Sequence, residues 1–315
     1  MSRTVPAVTD KYVVTIGPKC HVMCVDALTG DFKWGIDLQK DYQTEEPLWY
    51  TGQCPLIDGS VAVIAVGGTS LLIGVDCETG EIVWETPNPS HLSMSHSSVW
   101  PVTIYGVRMY LYSALGGIVG VSAEEETLGE ILFESKLWNH TVVAPSHIHL
   151  GDGRIFLTAG YGAGSLMLKL NVNEGVFSAE ALQILKPEEG MASEQQTPIF
   201  YKGHLFSILP KDAGPLRNQL VCSHPDDVGQ FVWASGKTNR FGLGPYIIAD
   251  EKFYVLNDDG VLTVLEVSMT GYKQLDQAKV LDGVDAWGPL AIVDGKLLAR
   301  DSHRMVCVDL RVNTP

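Results

Sequence analysis

Val22-Met23-Cys24-Val25-Asp26-Ala27-Leu28-Thr29-Gly30-Asp31-Phe32-Lys33-Trp34 is written almost again as Leu72-Ile73-Gly74-Val75-Asp76-Cys77-Glu78-Thr79-Gly80-Glu81-Ile82-Val83-Trp84. Each copy is an apolar run, an Asp, a Thr-Gly step and a second run with Trp four residues after the Gly. That order reads as a β-hairpin. Gly30 and Gly80 supply the positive φ of a tight turn, and Asp26 and Asp76 are placed to accept hydrogen bonds from the backbone just ahead. Beyond the turn, Phe32, Trp34, Ile36 and Leu38 fall at period two, which predicts a strand with one apolar face. One hairpin cannot bury an indole alone, so a Trp at a fixed place in each unit implies a socket offered by the neighbouring unit.

The pattern recurs along the chain with decay. Ile118–Ser122 leads to Gly129 and Phe133, and Leu166–Asn171 to Gly175 and Ala179. Leu220–His224 leads to Gly229 and Trp233, Leu262–Glu266 to Gly271 and Leu275, and Met305–Asp309 stands last. A Pro opens a hydrophobic strand in phase with these units, at Pro6, Pro55, Pro101, Pro145, Pro198, Pro245 and Pro289, with spacings of 49, 46, 44, 53, 47 and 44 residues. Most of these prolines precede a strand, a turn and a second strand, as in Leu56–Ile64 and Leu290–Leu298. Four-stranded units of roughly 40–50 residues are the mark of β-propeller blades. The expected fold is all-β: one propeller domain over residues 1–315, with blades starting near 6, 55, 101, 145, 198, 245 and 289.

The phrase Val-Asp-x-x-Thr-Gly-x-x-x-Trp resembles the tryptophan-docking motif of the pyrroloquinoline-quinone-like (BamB-like) propeller repeat. Quinoprotein dehydrogenases share that repeat with the lipoprotein subunit of the bacterial outer-membrane β-barrel assembly machine. The resemblance covers essentially the whole chain and implies eight blades in most relatives, against seven units here. It assigns structural docking to Asp26, Gly30, Trp34, Asp76, Gly80, Trp84, Phe133 and Trp233. The last unit ends without an outer strand, and Met1 to Val5 are too few to supply one; either the ring closes with seven blades and one incomplete sheet or, as the resemblance implies, a preceding blade is absent from this sequence. No apolar leader follows Met1; the family's habit is periplasmic or exported, which leaves the compartment open.

Bulk properties narrow the functional classes. A net charge of −15 over 315 residues argues against a nucleic-acid partner and against an anionic membrane surface. The most apolar run, Val61 to Val75, contains Gly67-Gly68-Thr69-Ser70 and reads as two strands and a turn rather than a transmembrane segment. Of six cysteines, Cys24, Cys222 and Cys307 share one repeat position with Gly74, Gly120, Lys169 and Val264, where strand packing favours small groups. No CxxC pair exists, and neither a disulfide framework nor a metal cluster is expected.

The resemblance implies, for a quinoprotein enzyme, adjacent cysteines in a disulfide, a calcium ion and an Asp base. This chain has no Cys-Cys pair and no evident Asp and Asn set, so neither pyrroloquinoline quinone nor calcium is expected. The segments preceding the Pro-led strands should meet at one mouth of the propeller. They carry Trp49, Tyr50, His96, Trp100, His140, Gln195, Arg240, Phe241 and Trp287. Aromatics and Arg at that density suit recognition of a protein partner or a small polar ligand; the same side chains could instead plug the channel. His147 and His149 lie on one side of a strand but lack a third ligand in register. Gly160-Tyr161-Gly162-Ala163-Gly164 reads as a hairpin loop rather than a phosphate cradle, and Asp258-Asp259-Gly260 as a turn. No catalytic residue is assigned. The expectation is a non-catalytic scaffold binding through its mouth or blade edges. The alternatives are a quinoprotein-like or metal-dependent enzyme and a sensor ectodomain for a sugar or peptide.

Overall fold

In the computed structural model, which describes residues 4–311, both hairpin turns close as their sequences dictate. Asp26 Oδ1 accepts the Leu28 and Thr29 N–H groups, each at 2.9 Å, and Asp76 Oδ1 those of Glu78 and Thr79 at 2.9 and 2.8 Å. Gly30 and Gly80 both sit at φ +77°. These backbone N–H bonds hold the Asp26 and Asp76 carboxyl groups below the usual carboxylate range.

The fold is an all-β, seven-bladed propeller. Among the described residues, six sheets have four strands and the last has three, each ordered along the sequence with antiparallel neighbours. The first sheet is Ala7–Val8, Tyr12–Ile16, His21–Asp26 and Phe32–Asp37; the second is Leu56–Asp58, Val61–Ala65, Ser70–Asp76 and Ile82–Pro87. The third runs from Trp100–Ile104 to Ile131–Ser135, the fourth from Ile148–His149 to Val176–Leu185, and the fifth from Ile199–Tyr201 to Asp227–Ala234. Tyr246–Ala249 to Gln274–Lys279 make the sixth, and Ala291–Val293, Lys296–Arg300 and Met305–Asp309 the seventh. Pro6, Pro55, Pro198 and Pro245 stand immediately before the first strand of their sheets, a place where a missing N–H costs nothing. The chain divides into two compact units. One runs to Ala159 and resumes over Leu166–Ile184; the other takes Gly160–Ser165 and everything from Leu185.

Within the first unit, each large ring at the start of an outer strand rests on the next sheet. The Trp34 indole donates to the Cys77 carbonyl at 2.9 Å and lies against Gly80, where an added Cβ would meet the Trp34 side chain at 2.6 Å. Gly80 is therefore both the left-handed turn residue and the flat seat of its neighbour's indole. Tyr12 and Lys33 of the first sheet add bonds of 3.0 and 2.9 Å to Glu78 in the same turn. Trp84 stacks on Tyr110 of the third sheet, with centroids 5.7 Å apart and planes 9° apart, and Phe133 meets Phe177 of the fourth at 6.5 Å. In the second unit, Trp233 donates to the Ser268 carbonyl at 2.9 Å and packs edge-on to Tyr272.

The strand partner of each ring is small for a visible reason. Gly74 and Gly120 face Trp84 and Phe133, and a Cβ on either would lie 2.0 and 2.2 Å from those rings. Cys24 and Cys222 hold the same place opposite Trp34 and Trp233.

Five details differ from the sequence pattern. The period-two reading of Phe32 through Leu38 breaks at a β-bulge between Cys24 and Val25, which leaves Phe32 67% exposed while Trp34 is buried. Leu38 opens a short helix, Leu38–Tyr42, capped by Asp37 through the Lys40 N–H. In the fourth sheet the buried ring is Phe177, two residues after Gly175, and not Ala179. In the fifth, the hairpin turns at Pro225-Asp226, so Gly229 lies inside the strand Asp227–Ala234; in the sixth, Leu275 is exposed and Gly271 has no left-handed φ.

A second stitch follows the inner edges of the first unit. Val5 N–H reaches Cys54 Sγ at 3.3 Å, Cys54 N–H reaches Ser98 Oγ at 2.9 Å, and Ser98 N–H reaches Ser146 Oγ at 3.0 Å, each one blade on. Such bonds satisfy backbone donors that no strand partner covers.

Replacing Trp34 with Ala removes a buried ring and its hydrogen bond, and should cost about 3–5 kcal/mol in urea unfolding. Gly74→Ala, which drives a methyl group into Trp84, should cost about 1–3 kcal/mol. Leu275→Ala, at an undocked position, should stay within about 0.5 kcal/mol.

Candidate functional site

The segments preceding the inner strands divide between the two units, and each set is described separately. In the first unit, Pro47–Gln53 is pinned from behind: Thr51 N–H donates to the Pro18 carbonyl at 3.0 Å, its hydroxyl meets Cys20 Sγ at 3.2 Å, and the buried Gln53 amide bonds both backbone groups of Ala65. Trp49 and Tyr50 sit at its tip with φ of +64° and +74°. Bulky residues in that region cost on the order of 1–3 kcal/mol each, and the anchored Thr51 and Gln53 that follow help to hold them there. They remain 42% and 44% exposed.

Gly52 brings this loop against His96, whose Nδ1 would lie 2.8 Å from a Cβ at position 52. Trp100, paired with Leu111 in the third sheet, is 54% exposed. His140 instead packs edge-on to the buried Trp138 with centroids 4.3 Å apart, and burial pushes its imidazole pKa down. The first unit thus joins the Trp49–Tyr50 loop to His96, keeps Trp100 open to solvent, and turns His140 to packing.

His147 is fully buried and neither ring nitrogen has a hydrogen-bond partner; His149, half-buried beside it, leaves Nε2 in the same condition. Burial, with His149 adding to it, pushes the His147 imidazole down to about 3. Two histidines are short of a metal site, and among the described residues no three His, Cys, Asp or Glu side chains converge as ligands.

In the second unit, Arg240 is committed to backbone. Its guanidinium donates to the carbonyls of Lys237 and Pro215, each at 3.0 Å, and to that of Arg217. Phe241 is buried among Phe206, Tyr246 and Phe253. Trp287 donates to Asp258 Oδ1 at 3.0 Å, and the same oxygen accepts the Leu243 N–H at 2.9 Å. Gln195 and Leu243 line one cavity of about 10 Å³, room for a single water. The structure therefore brings Gln195 near the Asp258–Trp287 pair while Arg240 and Phe241 serve the framework.

Glu194 lines that cavity and was not singled out by the sequence pattern. Its carboxylate is almost wholly buried: Oε1 accepts from Lys211 Nζ at 3.0 Å, and Oε2 has no hydrogen-bond partner. The Lys211 ammonium also lies over the Tyr161 ring at 4.8 Å, and Glu194 raises its pKa. Tyr161 belongs to the Gly160–Gly164 loop, which is a hairpin connection as its glycines suggest. The only sequence signal for Glu194 is a lone charge in Met191–Thr197 ahead of an inner strand.

All six cysteines are free thiols, and no adjacent pair can form. Between them the two sets present partly exposed aromatic surface, a buried carboxylate held by Lys211, and backbone carbonyls.

Comparisons with known proteins agree with the repeat. The family model described as "Outer membrane protein assembly factor BamB" matches residues 1–128. No curated protein matches the chain. Among solved structures, BamB from Moraxella catarrhalis superposes with a TM-score of 0.63 at 12% identity, covering 97% of this chain and 81% of that one. A europium-containing methanol dehydrogenase gives 0.61 at 11% identity, covering 93% and 72%. A quinohaemoprotein alcohol dehydrogenase from Pseudomonas putida HK5 gives 0.56 at 14% identity, covering 93% and 62%. At these identities the likeness is one of fold: a pyrroloquinoline-quinone-like, BamB-like propeller.

The burial of His147 yields a pH test. Its folded pKa lies below the ordinary value of 6.5, so its contribution to stability is present above pH 6.5 and is lost as pH falls toward about 3. The loss should approach about 1.4 kcal/mol per pH unit in that window. His147→Gln should flatten the pH dependence of urea unfolding between about pH 6 and 4; an unchanged slope would contradict the assignment.

Proposed function

We propose that this chain is a non-catalytic propeller scaffold that holds a protein partner through the loops ahead of its inner strands and through its blade edges. The observation that carries the reading is the adjacent pair Trp49 and Tyr50, 42% and 44% exposed in left-handed backbone while Thr51 and Gln53 just after them are anchored. A fold that keeps two aromatic rings part-exposed at a cost in backbone energy offers that surface to something else. Trp100 adds exposed aromatic area in the same unit. Support also comes from the family model over residues 1–128, described as an outer membrane protein assembly factor, and from the fold likeness to Moraxella catarrhalis BamB. By that analogy the chain acts outside the cytoplasm, at or near an outer membrane. Among the described residues no helix is long and apolar enough to cross a membrane.

On this reading the partner is a protein. The charge of −15 disfavours nucleic acid. Pyrroloquinoline quinone and calcium form no part of this reading: the sequence has no adjacent cysteines, and among the described residues no three His, Cys, Asp or Glu side chains gather.

Two measurements test the proposal together. A photo-crosslinking amino acid at position 100 should give one discrete protein adduct in cells, reduced several-fold by the double change Trp49→Ala and Tyr50→Ala and missing when the crosslinker stands at Leu275. Calorimetry with pyrroloquinoline quinone plus Ca²⁺ should give no saturable heat. Stoichiometric quinone binding accompanied by alcohol oxidation would overturn the scaffold reading.

A further inference from the structure

The helix Leu38–Tyr42 is the one α-helix among the described residues and has no counterpart in the repeat. It is firmly built. Asp37 caps its start, and Gln43 at φ +56° ends it with its N–H on the Leu38 carbonyl. Leu38 and Tyr42 turn into the core between the first two sheets, and Thr69 N–H reaches back to the Tyr42 carbonyl at 2.8 Å. At Gly68 any side chain would strike that carbonyl, 2.1 Å from an added Cβ.

The product of this insertion is an open cleft of about 450 Å³ between the outer strands of the first and second sheets. That size lies within the roughly 300–1,000 Å³ of ligand-binding clefts. Ile36 and Ile82 form aliphatic walls, and Gly80 is part of the floor with the Trp34 indole lying against it. Asp41 and Glu85 contribute the charge, and no lysine or arginine is among the lining residues. Glu85 is positioned rather than loose: Tyr42 Oη donates to Oε1 at 3.3 Å and Ser70 Oγ to Oε2 at 2.6 Å. Burial, with Glu85 beside it, pushes the Tyr42 hydroxyl up to about 12, so it stays a donor throughout the physiological range. A carboxylate with about four acceptor sites and one donor on each oxygen retains a free lone pair on both, the geometry a guanidinium fork fits.

We propose that this cleft receives an arginine side chain flanked by aliphatic residues, carried on an extended segment of a partner protein. Two carboxylates without a resident cation supply charge complementarity, the isoleucine walls receive the aliphatic neighbours, and the fixed Glu85 sets the orientation. This deepens the scaffold reading, on which it rests for the partner being a protein, by giving the blade edge a specific chemistry. It requires no group from the loops that carry Trp49, Tyr50 and Trp100.

The test uses the whole chain and the blocked peptide acetyl-Ile-Arg-Ile-amide, read by calorimetry and by Trp emission, to which Trp34 under the floor should respond. Binding is expected to weaken about tenfold on Glu85→Gln, by the loss of a charge-assisted pair. It should weaken several-fold on Asp41→Asn and between about 20 mM and 500 mM salt, and vanish for acetyl-Ile-Glu-Ile-amide. Asp41 bonds only the Asp37 N–H at 3.3 Å, so Asp41→Asn gives a variant whose fold is preserved even if Glu85→Gln disturbs Tyr42. No heat up to about 1 mM peptide, equal affinity for the glutamate peptide, or affinity unchanged in both variants would overturn the proposal. Failure of the peptide alongside a discrete adduct at position 100 would remove the cleft and leave the scaffold; peptide binding without that adduct would do the reverse.

Discussion

The docking of one blade's indole on the next blade's turn is the constraint on which the remaining structure depends. Trp34 shows it most fully: a ring buried against Gly80, its N–H on the Cys77 carbonyl, and Tyr12 and Lys33 reaching Glu78 in the same turn. An isolated four-stranded sheet of this length leaves its large rings in water, so each blade is stable only against a neighbour. The turn must accordingly satisfy two demands at once. It needs left-handed backbone to reverse the chain and a bare surface to receive a ring, and glycine meets both at position 80.

That constraint also explains which positions are free to carry function. Outer-strand rings and their small partners are consumed by packing. The segments ahead of the inner strands are tied from behind by hydroxyl, thiol and amide bonds, so their tips can hold conformations that a free loop would abandon, as Trp49 and Tyr50 do. The inner stitch from Val5 through Cys54 and Ser98 to Ser146 gives the first unit a rigid base for those tips. Where the repeat is broken by an inserted helix, a cleft opens beside a docked indole rather than in place of it.

Much of the fold was legible in the primary structure because docking writes itself into spacing. The Asp, the Gly and the Trp of the first two units fix turn, seat and ring, and the prolines mark inner strands that need no N–H. The losses have local causes. The bulge at Cys24 and Val25 shifts the pleat by one residue, which no period-two count detects, so Phe32 fell on the wrong face. The fourth hairpin turns at Glu174 and Gly175 but its ring, Phe177, follows after two residues instead of four, and the fifth keeps Trp233 four residues after Gly229 but turns at Pro225 and Asp226. The candidate site was less legible. Exposure of Trp49, Tyr50 and Trp100 and burial of Phe241 depend on loop anchors distant in sequence, and Arg240 meets carbonyls that composition does not reveal. Glu194 carried no pattern beyond a single charge, since its partner Lys211 lies 17 residues on, in a different loop.

The most direct measurement of the docking account is a double-mutant cycle between Trp34 and Gly80 in urea unfolding. Gly80→Ala carries a φ penalty in any background, but its clash with the indole exists only while Trp34 is present. The account predicts that Gly80→Ala costs less in the Trp34→Ala protein than in the parent, with a coupling of about 1–3 kcal/mol. Costs that add to within about 0.3 kcal/mol would contradict it, because the two residues would then not be in the contact that joins one blade to the next.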